Sequence, residues 1–260
     1  MLERISVHFR PEEKPFLQRV EEWLERATRQ HRIEVTHFLN PRQANILQIV
    51  GRTVGDANIG TFGGPVFAER VRAVIVPSYS QPELADARLA AIRMHVAGNG
   101  KMLGHGDYLG ALLGAGIVRE KIGDIYVRED GCDVIVAEEL VAYFLQQMSG
   151  VGRFPVELAQ IPLSQVLAKE PETDTRTVTV ASMRLDAVAS EGFRISRGKM
   201  AETIRSGACQ LNWQVTTDPS QDVFAGDVIS VRGLGRMRIL ELGEQRSKKG
   251  RLFVTIGNYV

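Results

Sequence analysis

The 260-residue sequence predicts an α+β protein made of three small domains. Three observations point there. The segment AKEPETDTRT, residues 168–177, is polar, contains Pro171 and lacks apolar periodicity, so it reads as a linker or long loop between a body and a C-terminal third. Residues 84–165 alternate between β-rich and amphipathic stretches. The C-terminal third opens with two short helical patterns and continues in β-rich runs. A weaker break at PSYSQPE, residues 77–83, divides the body, giving expected domains at 1–80, 81–165 and 178–260.

Composition sets the frame. At 44% hydrophobic and 24% charged residues, the chain resembles an ordinary globular protein. The apolar run Tyr108–Val118 has 11 residues, where spanning a bilayer needs roughly 20. The opening MLERISVHFRPEEK lacks the apolar core of a signal peptide, so no membrane partner and a cytoplasmic location are expected. Cys132 and Cys209 stand far apart, and His8, His31, His37, His95 and His105 show no ligand spacing, so no metal, cofactor or disulfide framework is expected. The net charge of +1 hides an asymmetry. Residues 176–260 carry 13 Lys/Arg against 8 Asp/Glu, whereas residues 1–175 carry 19 against 23. A basic third on an acidic body suggests that the C-terminal part binds a polyanion.

In the first domain, Phe16, Val20, Trp23, Leu24 and Ala27 recur at helical spacing and predict a helix over about 11–30. Asn40 followed by Pro41 predicts the start of a second. FGGPVFAERVRAVIVP predicts a turn and a strand. In the middle domain, residues 87–97 read as a strand, with a helix as competitor. Asp107 can cap a helix through Ala115, with Leu109, Leu112 and Leu113 on one side and Gly116 at its end. Ile122–Val127 and Cys132–Val136 flank REDG as a hairpin, 138–148 reads as a helix, and 156–161 as a last strand. That order, βαββαβ, is the ferredoxin-like (RRM-like) pattern. RNA-recognition sheets carry base-stacking aromatics, but AAIRMHVA and CDVIVA contain none. Lys101, His105, Arg119 and Lys121 are candidate phosphate contacts there.

The C-terminal module reads MRLDAVASEGFRISRGKMAETIRSGACQLNWQ. A first helix starts at Leu185 and stops at Gly192. Ser196 caps a second, whose apolar members are Met200, Ala201 and Ile204 and which Gly207 ends. CQLNWQV then reads as a strand, Gly226-Asp227 as a turn and RGLGR as a hairpin turn. On a helical projection Lys199 points away from the apolar side and Arg205 flanks it. Arg197 lies close to the apolar direction, so it either pairs with Asp186 or meets RNA. Trp213 could stack on a base or sit half-buried on the strand.

RLDAVAS, ISRGKMAETIRSGACQLN and AGDVISVRG together resemble the S-four RNA-binding domain. The residues that carry the resemblance are Arg184, Leu185, Asp186, Ser196, Arg197, Gly207, Asn212, Gly226, Asp227, Ile229, Val231, Arg232 and Gly233. Cys209-Gln210-Leu211 departs from the usual Val-x-Val strand. Upstream, AERVRAVIVP, DYLGALLGAGIVREKIGDI and VGRFPVELAQIPL resemble the YlmH-type family, and LNWQ its cyanobacterial branch, labelled a photosystem II S-four protein. The resemblance implies an RNA-binding protein of the ribosome. It implies structured RNA, rRNA or tRNA, as partner, on the large ribosomal subunit, where related small S-four proteins meet stalled peptidyl-tRNA. It implies RNA contacts at Arg184, Arg194, Arg197, Lys199, Arg205, Asn212 and Arg232, and no catalytic residue. Contacts by Arg184, Arg194, Arg197, Lys199 and Arg205 would give a log–log salt slope of about −4. Two rivals remain. A pseudouridine synthase would use Asp186 in its Arg-Leu-Asp context, but the 48 residues after Asn212 are needed for the small sheet. A protein-docking factor linked to photosystem II would engage a partner through residues 1–80.

Overall fold

A computed structural model of the protein describes Phe9 and residues 13–96, 103–168, 173–247 and 250–259. The chain forms two compact units, Met1–Lys169 and Glu170–Val260.

The first unit begins with helix α1 (Lys14–Arg29), strand β1 (Glu34–Leu39), helix α2 (Pro41–Val54) and strands β2 (Ala57–Phe62) and β3 (Val71–Pro77). The start expected for α1 at Pro11 lies outside the described residues. Asn40 caps α2 through a reciprocal box: Gln43 N donates to Asn40 Oδ1 at 2.9 Å, and Asn40 N donates to Gln43 Oε1 at 3.0 Å. Both helices cover one face of an antiparallel sheet ordered β1-β3-β2, burying Val20, Leu24, Leu47, Val50 and Ile75.

The middle domain follows as β4 (Leu89–Val96), α3 (His105–Gly114), β5 (Ile122–Arg128), β6 (Gly131–Ala137), α4 (Val141–Gln147), β7 (Gly150–Val151) and β8 (Phe154–Ile161). Its sheet runs β5-β6-β4-β8-β7 with antiparallel neighbours. This is the expected ferredoxin-like order with one short strand added at the edge. Asp107 does not cap α3. It stands one turn inside the helix and accepts from the N–H of Gly104, the true cap. Leu113 is exposed, and Tyr108 joins Leu112 as the buried pair of that helix.

The two parts of this unit are fastened to each other. Phe38 of β1 is buried against Ala91, Ile135 and Ala137 of the middle sheet. A Cβ on Gly123 would come within 2.8 Å of the Phe38 ring, so glycine is required for that approach. Arg70 donates to the carbonyls of Phe38, Arg119 and Ile122. Asp124 accepts from the N–H groups of Glu69 and Arg70. Leu163 and Val166 pack against the same sheet face.

The second unit comprises β9 (Thr173–Val180), α5 (Leu185–Phe193), α6 (Arg197–Arg205), β10 (Cys209–Leu211), β11 (Gln214–Thr216), β12 (Val228–Val231), β13 (Gly235–Arg246) and β14 (Leu252–Tyr259). Its antiparallel sheet runs β11-β10-β12-β13-β14-β9. Three sequence expectations change here. Residues 173–177, read as linker, form the start of strand β9 paired to β14, because the strand runs on through Thr177-Val178-Thr179-Val180 and Val180 enters the core. Gly192 does not end α5. It lies inside the helix, where a Cβ would come within 2.0 Å of Met237 Sδ, so it permits close contact with β13. CQLNWQV is a hairpin, β10 and β11, with Asn212 (φ 51°) and Trp213 (φ 65°) as its two central residues. Two left-handed residues between Leu211 and Gln214, which pair, make a type I′ turn.

Candidate nucleic-acid interface

Helices α5 and α6 present the sequence-predicted cations. Their apolar sides, Leu185, Val188, Ala189, Met200 and Ile204, enter one core with Ile229, Met237 and Val254, which fixes the polar sides outward. Ser196 caps α6 by accepting from Lys199 N at 3.3 Å.

Asp186 lies between the two helix starts and is 5% exposed. Arg197 grips it with Nε on Oδ2 and Nη2 on Oδ1, both at 3.0 Å. Arg184 adds Nε on Oδ1 at 3.2 Å and Nη2 on Oδ2 at 3.3 Å. Burial raises the Asp186 carboxyl, but hydrogen bonds from Arg184 and Arg197 overcome this and hold it below the usual carboxylate range. One carboxylate against two guanidiniums leaves this cluster a net positive charge. Both alternatives weighed for Arg197 therefore hold in part. It pairs with Asp186, and its side chain remains 49% exposed beside the start of α6.

Arg194 ends α5 in the left-handed region (φ 56°) and is exposed, as are Lys199 and Arg205 on α6. Arg232 is exposed after β12, and its N–H donates to Ala208 O, which sets it near the far end of α6. Asn212 differs. Its Nδ2 donates to Asp227 Oδ1 at 2.7 Å, and its Oδ1 accepts from Val228 N at 2.9 Å. The fold occupies this side chain in bracing the turn, so Asn212 is a structural residue here. Trp213 is half-buried at the hairpin turn, not along a strand.

Three cations that the sequence reading passed over line the same surface. Arg176 and Arg251 share a groove of about 540 Å³ with Arg194 and Arg197. Arg236 shares a neighbouring one with Arg176 and Arg194, and its guanidinium lies 4.5 Å from the Tyr259 ring centre. They sit on β9, β13 and the approach to β14, outside the two-helix pattern. The basic charge of the segment was the only signal that could have found them.

The middle domain gives its cations other duties. Arg93 and Arg128 pair with the fully buried Asp133, and Lys121 with Glu139. Arg119 donates to the carbonyls of Ile122 and Gly123. Lys101 lies outside the described residues. The sheet face that would stack bases in an RNA-recognition domain is instead packed by Phe38, Leu163 and Val166. Among the described residues no group of three or more His, Cys, Asp or Glu gathers to hold a metal, and no helix is long and apolar enough to cross a membrane.

Fold and surface together define an RNA-binding protein whose C-terminal unit carries the S-four helix pair. Comparison with known families matches residues 12–80 to "YlmH, N-terminal", residues 82–165 to "Putative RNA-binding domain in YlmH" and residues 183–229 to "S4 domain". The chain belongs to the YlmH family. It is 36% identical over 253 residues to the Bacillus subtilis (strain 168) ribosome-associated protein quality control protein P2, covering 96% of this chain and 97% of that one. It is 26% identical over 83 residues to the tyrosine–tRNA ligase of Mycoplasma pneumoniae, covering 32% of this chain and 21% of the ligase. The solved structure of the cell division protein ylmH from Streptococcus pneumoniae superposes with a TM-score of 0.55 at 27% identity. That match covers 61% of this chain and 97% of the other.

Proposed function

We propose that this chain is a non-catalytic RNA binder that recognises structured RNA, rRNA or tRNA, on the large ribosomal subunit and serves ribosome-associated quality control in the cytoplasm. The observation that carries the reading is the set of exposed cations, Arg194, Lys199, Arg205 and Arg232, around a helix pair of S4 type. Lys/Arg contacts to phosphate supply much of the affinity in such interfaces, and the positive end of α6 at Ser196 adds to them. The ribosomal setting draws on the name of the Bacillus subtilis relative, and the tRNA alternative on the name of the ligase. A binding role without catalysis is supported by Asp186. A synthase would need this carboxylate free to attack, and here it accepts four hydrogen bonds from two guanidiniums. A link to photosystem II has support only from the resemblance in the sequence, and docking through residues 1–80 only from the acidic charge of the body that contains them.

The test is sedimentation of tagged protein in cell lysate at low and high salt, beside an Arg197→Glu/Lys199→Glu/Arg205→Glu variant. Wild-type protein travelling with large subunits at low salt, with the variant left at the top, supports the proposal. Wild-type protein left at the top at low salt refutes the ribosomal setting.

A further inference from the structure

We infer that the RNA surface of the C-terminal unit extends beyond the helix pair into the groove between α5 and strands β9 and β14, and that this groove takes the phosphates of an RNA strand. Four guanidiniums line it, from Arg176, Arg194, Arg197 and Arg251, with Glu191 as the lining carboxylate and Asp186 paired to Arg197. A second recess of about 360 Å³ shares Arg176 and Arg194 and adds Arg236, with Asp174 as its carboxylate. The two recesses therefore form one basic track from the start of α6 to the β13–β14 end of the sheet.

The way these cations are held favours an anionic ligand. Arg176 Nη2 donates to the carbonyls of Glu191 and Gly192, at the open C-terminal end of α5. Arg251 Nη2 donates to Thr179 O at 2.8 Å and reaches Glu191 Oε1 at 3.2 Å. Carbonyls orient a guanidinium without cancelling its charge, so Arg176 is fixed and still cationic. The Nε–H groups of Arg176 and Arg251 are buried and have no hydrogen-bond partner among the described residues. A fixed, unneutralised guanidinium loses little entropy when phosphate arrives, which is the condition for a pre-organised anion site. Strands β9, β13 and β14 all lie outside residues 183–229, so this track is a feature of the unit beyond its S4 match.

This inference rests on the RNA-binding reading, and the experiment separates the two. Full-length protein is titrated into a fluorescein-labelled RNA stem-loop across a salt series. Four chains are compared: wild type, Arg176→Gln/Arg251→Gln, Ala181→Glu, and the α6 charge-reversal variant. Ala181 is exposed and lines the groove, so Ala181→Glu adds a carboxylate there without removing an internal hydrogen bond. It keeps the test sound if the double variant fails to fold, which a thermal melt reports. Loss of two phosphate contacts lowers the salt slope by about 1.4–1.8, equivalent to roughly 25- to 60-fold weaker binding at 0.1 M salt relative to 1 M. Ala181→Glu is expected to weaken binding in the same direction. If both groove chains bind like wild type while the α6 variant fails, the groove takes no RNA and the helix reading stands. If wild-type protein leaves the stem-loop unbound, both fall.

Discussion

Lys199 and Arg197 sit two residues apart on α6, yet the structure assigns them different work. Lys199 is exposed, and its backbone rather than its ammonium takes part in the cap and in the bond from Thr203. Replacing it by Gln removes a charge and nothing that holds the fold. The expected result is an unchanged Tm and a salt slope lower by about 0.7–0.9, which is roughly 5- to 8-fold weaker RNA binding at 0.1 M salt. Arg197→Gln removes the same charge and also two 3.0 Å bonds to a carboxylate that is 5% exposed. Breaking a buried pair costs about 3–5 kcal/mol, but Arg197 is half-exposed and Asp186 retains Arg184, so the cost falls to about 1–2 kcal/mol. For a unit of this size that is a drop in Tm of roughly 5–15 °C. Circular dichroism melts and fluorescence anisotropy titrations of both variants provide the comparison. An Arg197→Gln protein with wild-type Tm, or a Lys199→Gln protein with a lowered one, refutes the division of labour.

Gly192→Ala drives a methyl group into Met237 Sδ in a closed core, and overpacking of this kind costs about 1–3 kcal/mol, read as a lower Tm with RNA affinity kept once folded. Burial pushes the Cys209 thiol up to about 11 and raises that of Cys132 further, so neither is expected to react with a thiol reagent at pH 8 until denaturant is added. Burial raises the carboxyls of Asp133 and Asp186, but their guanidinium partners bring both below the ordinary value of about 3.9. A folded value below the unfolded one gives stability that is complete above about pH 4–5 and is lost as pH falls through the folded values. Urea midpoints measured from pH 7 to pH 3 should stay level and then drop, with a smaller acid-side drop in Asp186→Asn.

The sequence made the helices legible because their signals are local. Asn40-Pro41 and Ser196 mark starts, and the spacing of Val20, Leu24 and Ala27 marks a buried face. The middle domain's strand order followed from the same local signals plus the topological rule for that pattern. Failures occurred where a remote partner decides the outcome. β1 and β2 carry little alternation, and their partner is β3 in the same sheet. Residues 173–177 look like a linker until β14, some 80 positions later, pairs with them. Gly192 reads as a helix stop because Met237, which explains it, lies on another element. The candidate site divides in the same way. The cations of α6 lie within a contiguous motif, whereas Arg176, Arg236 and Arg251 join the surface only when the sheet closes.

The middle domain shows why strand order alone does not locate an RNA surface. In β4 and β6, Ile92, Met94, Val134 and Val136 face the helices, and Ala91, Arg93, Asp133 and Ile135 face the other way. That second face is where an RNA-recognition sheet would carry its aromatics. Here Phe38 and the segment holding Leu163 and Val166 pack on one part of it, and Arg93, Arg128 and Asp133 form an ion cluster on another. Covered on both sides, β6 is buried throughout, so its sequence keeps neither a polar alternation nor a base platform. Arg93→Gln separates the two roles this face could have. Asp133 is fully buried and, among the described residues, would keep only Arg128 at 3.2 Å and the Leu167 N–H at 3.4 Å, so the fold should lose about 2–4 kcal/mol. Chemical denaturation measures that loss, and an RNA titration across salt measures the slope. A less stable protein with the wild-type slope means that Arg93 holds the unit together. A stable protein with a slope lowered by about 0.7–0.9 means that this sheet touches RNA, and the argument from its covered face fails.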